Sequence, residues 1–241
     1  MKTIRILFVP QEDLVLPYAH FEILQGLVYK LLSFDEEFAS EIHEKKYDGK
    51  VAIKLFCFSD VMGRYKNLRD LKALCFKDEC SFEIRSASDR FIEIIKERLL
   101  QNPRFSIENF PCTVTRFEEY SRYFTEGHIA FTMNTPLTVY RTEGKKTISY
   151  SYSDAEFYDL VKANLKKKYF AVFGREYVGE LSFECQYADE KSKCVTRYKD
   201  TIVTGYYGEY LLCGEPDMLS VAFYCGIGAK NSMGFGTVSA D

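Results

Sequence analysis

Tryptophan is absent, and only three histidines, His20, His43 and His128, occur in the 241 residues. None of the three begins a His-x-Thr/Ser motif, which excludes the two-histidine phosphoesterases that need such motifs in pairs. The eight cysteines include no C-x2-C spacing and no pair beside paired histidines, so a zinc site is not expected. Several sit in apolar runs, as in Lys54-Leu-Phe-Cys57-Phe, and read as buried thiols of a reducing compartment. No apolar stretch approaches the roughly 18–20 residues of a membrane span. Lys2 and Arg5 are followed by Pro10, Glu12 and Asp13 before any signal-peptide core develops, so a cytoplasmic location is expected. Excess positive charge is missing as well. The formal net charge is −3 and the pI about 5.8, which excludes a generic basic nucleic-acid coat. Any contact with RNA must come from a local patch.

What is present is a heavy aromatic load of 18 Tyr and 20 Phe within a 46% hydrophobic composition, enough for a sizeable core. Thr3–Val9 is a β-rich run. Pro17 then opens a helical pattern with Leu24, Leu27, Val28, Leu31 and Leu32 at three- and four-residue spacing. Ala52–Ser59 reads as a strand, and Leu71–Ile84 as a hairpin turning at Lys77-Asp78-Glu79. A helix starts at Ser88 and stops at Asn102-Pro103, and Phe110–Glu118 is again strand-like. This order is β-α-β-β-α-β. The second half repeats it less cleanly. Strand-like Ile129–Tyr140 and Lys146–Tyr152 precede a helix behind Ser153-Asp-Ala-Glu156, and strand candidates follow at 180–188, 193–199, 201–213 and 218–225. The expectation is an α+β protein of two tandem ferredoxin-like domains packed side by side, 1–123 and 124–241.

Near the end, Gly226-Ile-Gly228-Ala-Lys230-Asn231-Ser232-Met-Gly234-Phe-Gly236 has the form G-x-G, five residues, G-x-G. It is neither a Walker loop nor a dinucleotide fingerprint. Four glycines allow positive φ and close approach to a bulky ligand, while Lys230, Asn231 and Ser232 offer donors to a phosphate or base edge. The alternative is a tight turn between core strands.

This segment resembles the terminal glycine-rich loop of the CRISPR repeat-processing endoribonucleases of the RAMP superfamily. Ile4–Pro10, Leu16-Pro17-Tyr18 and Leu24-Gln25-Gly26-Leu27-Val28-Tyr29 resemble that family's first strand and helix. Ile42-His43-Glu44 and Lys54-Leu55-Phe56-Cys57-Phe58-Ser59 resemble its histidine loop and second strand. The resemblance implies a metal-independent endoribonuclease without cofactor. It would cut CRISPR repeat RNA through the 2′-hydroxyl, leaving 5′-hydroxyl and 2′,3′-cyclic phosphate ends. His43 and Tyr29 would share the proton transfers and Lys54 would offset charge on the phosphate. Which of His43 and Tyr29 is the base stays open. A non-catalytic guide-RNA-binding subunit of the same superfamily is the second reading, and neither monomer, homodimer nor other effector subunits as partners are decided.

Taken as residues alone, His43 reads as a solvated loop histidine, Tyr29 as a half-buried aromatic and Lys54 as an outward strand lysine. His20 reads as a surface or capping residue. Lys193, Arg197 and Lys199 occupy odd positions of one strand-like run, a single face that suits a phosphate backbone or is an ordinary solvated strand face, with Tyr198 turned the other way. Lys162, Lys166, Lys167 and Lys168 read as a solvated helix end.

Overall fold

The computed structural model describes residues 1–44, 46, 47, 50, 51, 53–144 and 146–240, with backbone only at 41–51 and at 240. In the first half, β1 (Lys2–Pro10), α1 (Phe21–Leu32), β2 (Phe56–Phe58), β3 (Cys80–Ser86), α2 (Asp89–Gln101) and β4 (Phe110–Tyr120) follow one another. The sheet order is β2-β3-β1-β4, with Arg104–Ile107 as an added edge strand, and every pairing is antiparallel. Ile4, Ile6 and Phe8 alternate along β1 and face the helices. There they meet Leu24, Leu27, Val28 and Leu31 of α1 and Ile92, Ile95 and Leu99 of α2. Each such buried side chain stabilises the fold by about 1.5–3 kcal/mol. Ser88 caps α2 by accepting from the Phe91 N–H at 3.4 Å.

The second half is built likewise from β5 (His128–Met133), α3 (Ala155–Phe173), β6 (Ser182–Tyr187), β7 (Glu209–Cys213), α4 (Pro216–Cys225) and β8 (Val238–Ala240). Its order is β6-β7-β5-β8, the same connectivity as the first sheet. Both halves are ferredoxin-like, as the element order implies. Hairpins Tyr140–Glu143/Lys146–Ser149 and Lys193–Tyr198/Thr201–Tyr206 are insertions into this scheme.

Three local expectations are corrected. Residues 218–225 form helix α4, which starts with Pro216 at its first turn and buries Met218, Leu219 and Val221–Cys225. It packs against β2 and β3 of the first domain and β5 of its own. Burial on every side removes the helical period, and its aromatic and β-branched content mimics a strand. The run 71–84 does turn near 77–79, but its strands do not pair. Ala73–Phe76 joins Leu14–Pro17 and Tyr65–Leu68 in a separate sheet, while Cys80–Ser86 is β3. Adjacency in sequence does not choose the partner when both strands have apolar faces to bury. The strand expected over 52–59 is only Phe56–Phe58, which leaves Lys54 just outside it.

The domains meet through α4 and a buried polar seam. Glu83 is 2% exposed; its Oε1 accepts from Arg85 Nε at 2.6 Å, and its Oε2 from Arg5 at 3.1 Å and Tyr120 at 2.6 Å. The Arg85 guanidinium then donates to the Val238 carbonyl across the seam at 2.6 Å, and stacks 3.8 Å from the Phe223 ring centroid. Burial alone would raise the Glu83 carboxyl, but Arg85, Tyr120 and Arg5 together hold it below the usual range.

Candidate active site

Helix α1 carries the site along one stripe, because Phe21, Gln25 and Tyr29 are spaced four apart. Tyr29 is half-buried, edge-on to Phe56, and its hydroxyl oxygen accepts from Lys54 Nζ at 2.5 Å. Burial pushes the Tyr29 hydroxyl up to about 12 and draws the Lys54 ammonium below its ordinary value. The phenol therefore keeps its proton at neutral pH and suits donation better than abstraction. The ammonium places a positive charge beside it. His43 falls on the short helix Glu36–Glu44 rather than in a loop, and its side chain lies outside the described residues.

One turn back from Tyr29, Gln25 Nε2 donates to the Ser232 carbonyl at 2.5 Å, and Phe21 stands edge-on to Phe235 at 5.1 Å. The glycine-rich segment is thus held against the helix that carries Tyr29. All four motif glycines have positive φ: 74° at Gly226, 73° at Gly228, 93° at Gly234 and 73° at Gly236. A Cβ at Gly236 would sit 1.9 Å from the Ile227 carbonyl oxygen, and one at Gly228 2.4 Å from Leu137 Cδ1. The four glycines are buried, so their freedom closes a compact knot rather than opening backbone to a ligand.

Asn231 is at its centre, 5% exposed. Its amide donates to the carbonyls of Ile227 at 3.0 Å and Phe235 at 2.9 Å. Its Oδ1 accepts from Lys168 at 2.6 Å. The side chain expected to offer a donor outward is committed inward. Lys230 and Ser232 are the motif's more accessible polar residues, and Lys230 Nζ lies 4.9 Å from the Tyr140 ring centroid.

The hairpin strand Lys193–Tyr198 alternates as expected. Lys193, Val195 and Arg197 are exposed on one face, and Tyr198 is 6% exposed on the other. Lys199 is not in the strand; it adopts φ 51° in the turn. Arg197 folds over that turn, pairing with Asp200 at 3.1 Å. The Tyr198 hydroxyl donates to Gln25 Oε1. Its pKa is pushed up to about 12, by burial first and then by nearby Glu22 and Tyr29. Gln25 accordingly joins hairpin, glycine-rich segment and α1 within a turn of the Tyr29–Lys54 pair.

Family models decide where this architecture belongs. That for the C-terminal part of CRISPR-associated protein Cas6 matches residues 117–240, and that for its N-terminal part matches residues 15–118. The chain belongs to the Cas6 family. It is 26% identical over 230 residues to the CRISPR-associated endoribonuclease Cas6 of Pyrococcus furiosus, spanning 93% of this chain and 83% of that one. To the CRISPR-associated endoribonuclease Cas6 1 of Methanocaldococcus jannaschii it is 25% identical over 227 residues, covering 93% and 87%. A Cas6-related structure from Pyrococcus furiosus superposes with TM-score 0.85 at 19% identity, over 99% of this chain and 98% of the other. A RAMP protein described as binding different RNA substrates gives TM-score 0.84 at 18% identity over the whole of both chains.

Three residues of this Cas6 family member escaped the sequence reading. Gln25 was visible only as part of the helix. His20 stands at the N-cap of α1 without a side-chain cap bond and is 3% exposed rather than on the surface, with Nδ1 2.7 Å from the Pro17 carbonyl oxygen and Nε2 2.6 Å from Asp60 Oδ1. Burial would lower its pKa, but Asp60 and the carbonyl hold it above the usual value. Lys168 is 1% exposed, not part of a solvated helix end. The signal was available: Phe157, Val161 and Leu165 continue at i+3 and i+4 spacing onto Lys168 and Tyr169.

Proposed function

We propose that this Cas6 family member is a metal-independent endoribonuclease that cuts CRISPR precursor RNA within its repeats. The 2′-hydroxyl beside the scissile bond attacks the phosphorus in line, leaving a 2′,3′-cyclic phosphate on one fragment and a 5′-hydroxyl on the other. Lys54 offsets the charge that develops on the phosphate oxygens. Tyr29, with its high pKa, donates a proton or hydrogen bond, and His43 completes the transfer, since an imidazole can both take and give a proton. The observation that carries this reading is the Tyr29–Lys54 contact on the same helix that Gln25 fastens to the glycine-rich segment. The same pair favours cutting over the alternative, a guide-RNA-binding subunit that never cleaves. Phosphate contacts come from Lys193 and Arg197 on the exposed hairpin face, Lys199 at its turn, and Lys230 and Ser232 on the segment. Gly226, Gly228, Gly234 and Gly236 serve by shape, and Asn231 by holding that shape.

The test is cleavage of cognate repeat RNA in EDTA by the wild type, by His43→Ala and by Lys54→Ala, with a second RNA carrying a 2′-deoxy at the cut. The wild type cuts in EDTA, the variants lose about 10²-fold or more, and the deoxy RNA is bound intact. Cleavage of the deoxy RNA refutes the mechanism, and tight binding without any cutting by the wild type supports the subunit reading instead.

A further inference from the structure

Lys168 belongs to α3, yet its ammonium ends inside the glycine-rich knot. Nζ donates to the carbonyls of Gly226 at 2.7 Å and Gly228 at 2.9 Å and to Asn231 Oδ1 at 2.6 Å. Three protons meet three acceptors, so the hydrogen bonding of the group is complete. Among the described residues no carboxylate pairs with it. The titratable groups facing it are the thiols of Cys57 on β2 and Cys225 on α4, both pushed up by burial, Cys225 to about 12, and therefore neutral. Arg85 lies beyond Cys57, and Glu83 is already engaged by Arg85, Arg5 and Tyr120. A buried cation normally has an anion beside it.

We infer that Lys168 is the positioning residue of the glycine-rich segment and that the missing counter-charge is a phosphate of the RNA seated on that segment. The carbonyls it gathers set the turn between Gly226 and Asn231. The half-buried tip at Lys230–Met233 is then presented over a positive charge that solvent cannot screen. This rests on the RNA-cutting function proposed above.

The charge has a consequence in pH. Burial draws the Lys168 ammonium down to about 8. A phosphate arriving nearby favours the charged form, so the pKa rises on binding and a proton is taken up above about pH 8. Affinity for RNA is then full below the free protein's pKa and falls as pH rises through it.

The experiment measures binding of the 2′-deoxy repeat RNA by wild type, Lys168→Arg and Lys168→Met between about pH 6.5 and 9.5. Hydrogen exchange of residues 226–236 is followed in the same proteins. In the wild type, affinity falls about tenfold across that range. In Lys168→Arg, which keeps its charge throughout, this fall is much reduced. In Lys168→Met binding is weak at every pH and the segment exchanges faster. A Lys168→Met protein with wild-type affinity, or an arginine variant with the wild-type pH profile, overturns the inference. Failure of the wild type to bind repeat RNA at any pH would instead defeat the function on which it rests. Hydrogen exchange then still reports whether Lys168 sets the segment.

Discussion

Replacing Asn231 with alanine tests the idea that the glycine-rich segment is a knot and not an open loop. The amide makes three hydrogen bonds, at 3.0 Å to Ile227, 2.9 Å to Phe235 and 2.6 Å from Lys168. Two neutral bonds contribute about 1 kcal/mol each and the charge-assisted one about 1.5–3. All the partner groups stay buried when the side chain is removed, so relaxation recovers little. The loss should be about 3–5 kcal/mol, measured as a shift in the midpoint of urea unfolding at constant slope. Asn231→Asp sharpens the test. It gives Lys168 a carboxylate but replaces the one amide nitrogen that donates to both carbonyls with an oxygen facing them. It should therefore destabilise as well, despite the new ion pair. A loss under about 1 kcal/mol for alanine would refute the knot, and an aspartate variant as stable as wild type would show that the two carbonyl bonds contribute nothing.

Glu83→Gln should cost about 3 kcal/mol, because Arg85 is left buried without its carboxylate. The native carboxyl is held below its ordinary 4.5, so this advantage is present above that value and lost as pH falls through the folded pKa. Urea titrations should show the wild type and the variant converging in acid, and a gap that persists there would contradict the assignment. Gln25→Ala cuts the tie between α1, Ser232 and Tyr198. It should lower kcat about tenfold at saturating RNA with the circular dichroism spectrum unchanged, and an unaltered kcat would separate the tie from catalysis.

The framework of both domains was legible because most of its elements bury only one face. The stripe at Leu24, Leu27, Val28 and Leu31 and the alternation of Ile4, Ile6 and Phe8 each leave a period that a reader can count. Helix α4 was illegible for the opposite reason. It is covered all round, so nothing polar marks its turns, and Leu219–Tyr224 imitates a strand. Lys168 was misread through its residue type: three neighbouring lysines look like a solvated end, although the apolar stripe runs through it. Tyr29 and Lys54 were picked out by family likeness, since a half-buried tyrosine and a lysine before a strand are unremarkable by pattern. Gln25 carries no signal at all without its partners, which come from residues 198 and 232.

The glycine-rich segment begins at the residue after α4 ends, and α4 is buried against strands of both domains. Its anchor is therefore the seam itself. Gln25 in turn holds its tip to the Tyr29 helix. In the function proposed above, the element that holds RNA is rooted where the domains join, and the cutting residues lie beside it. Under that proposal, grip and blade share a rivet.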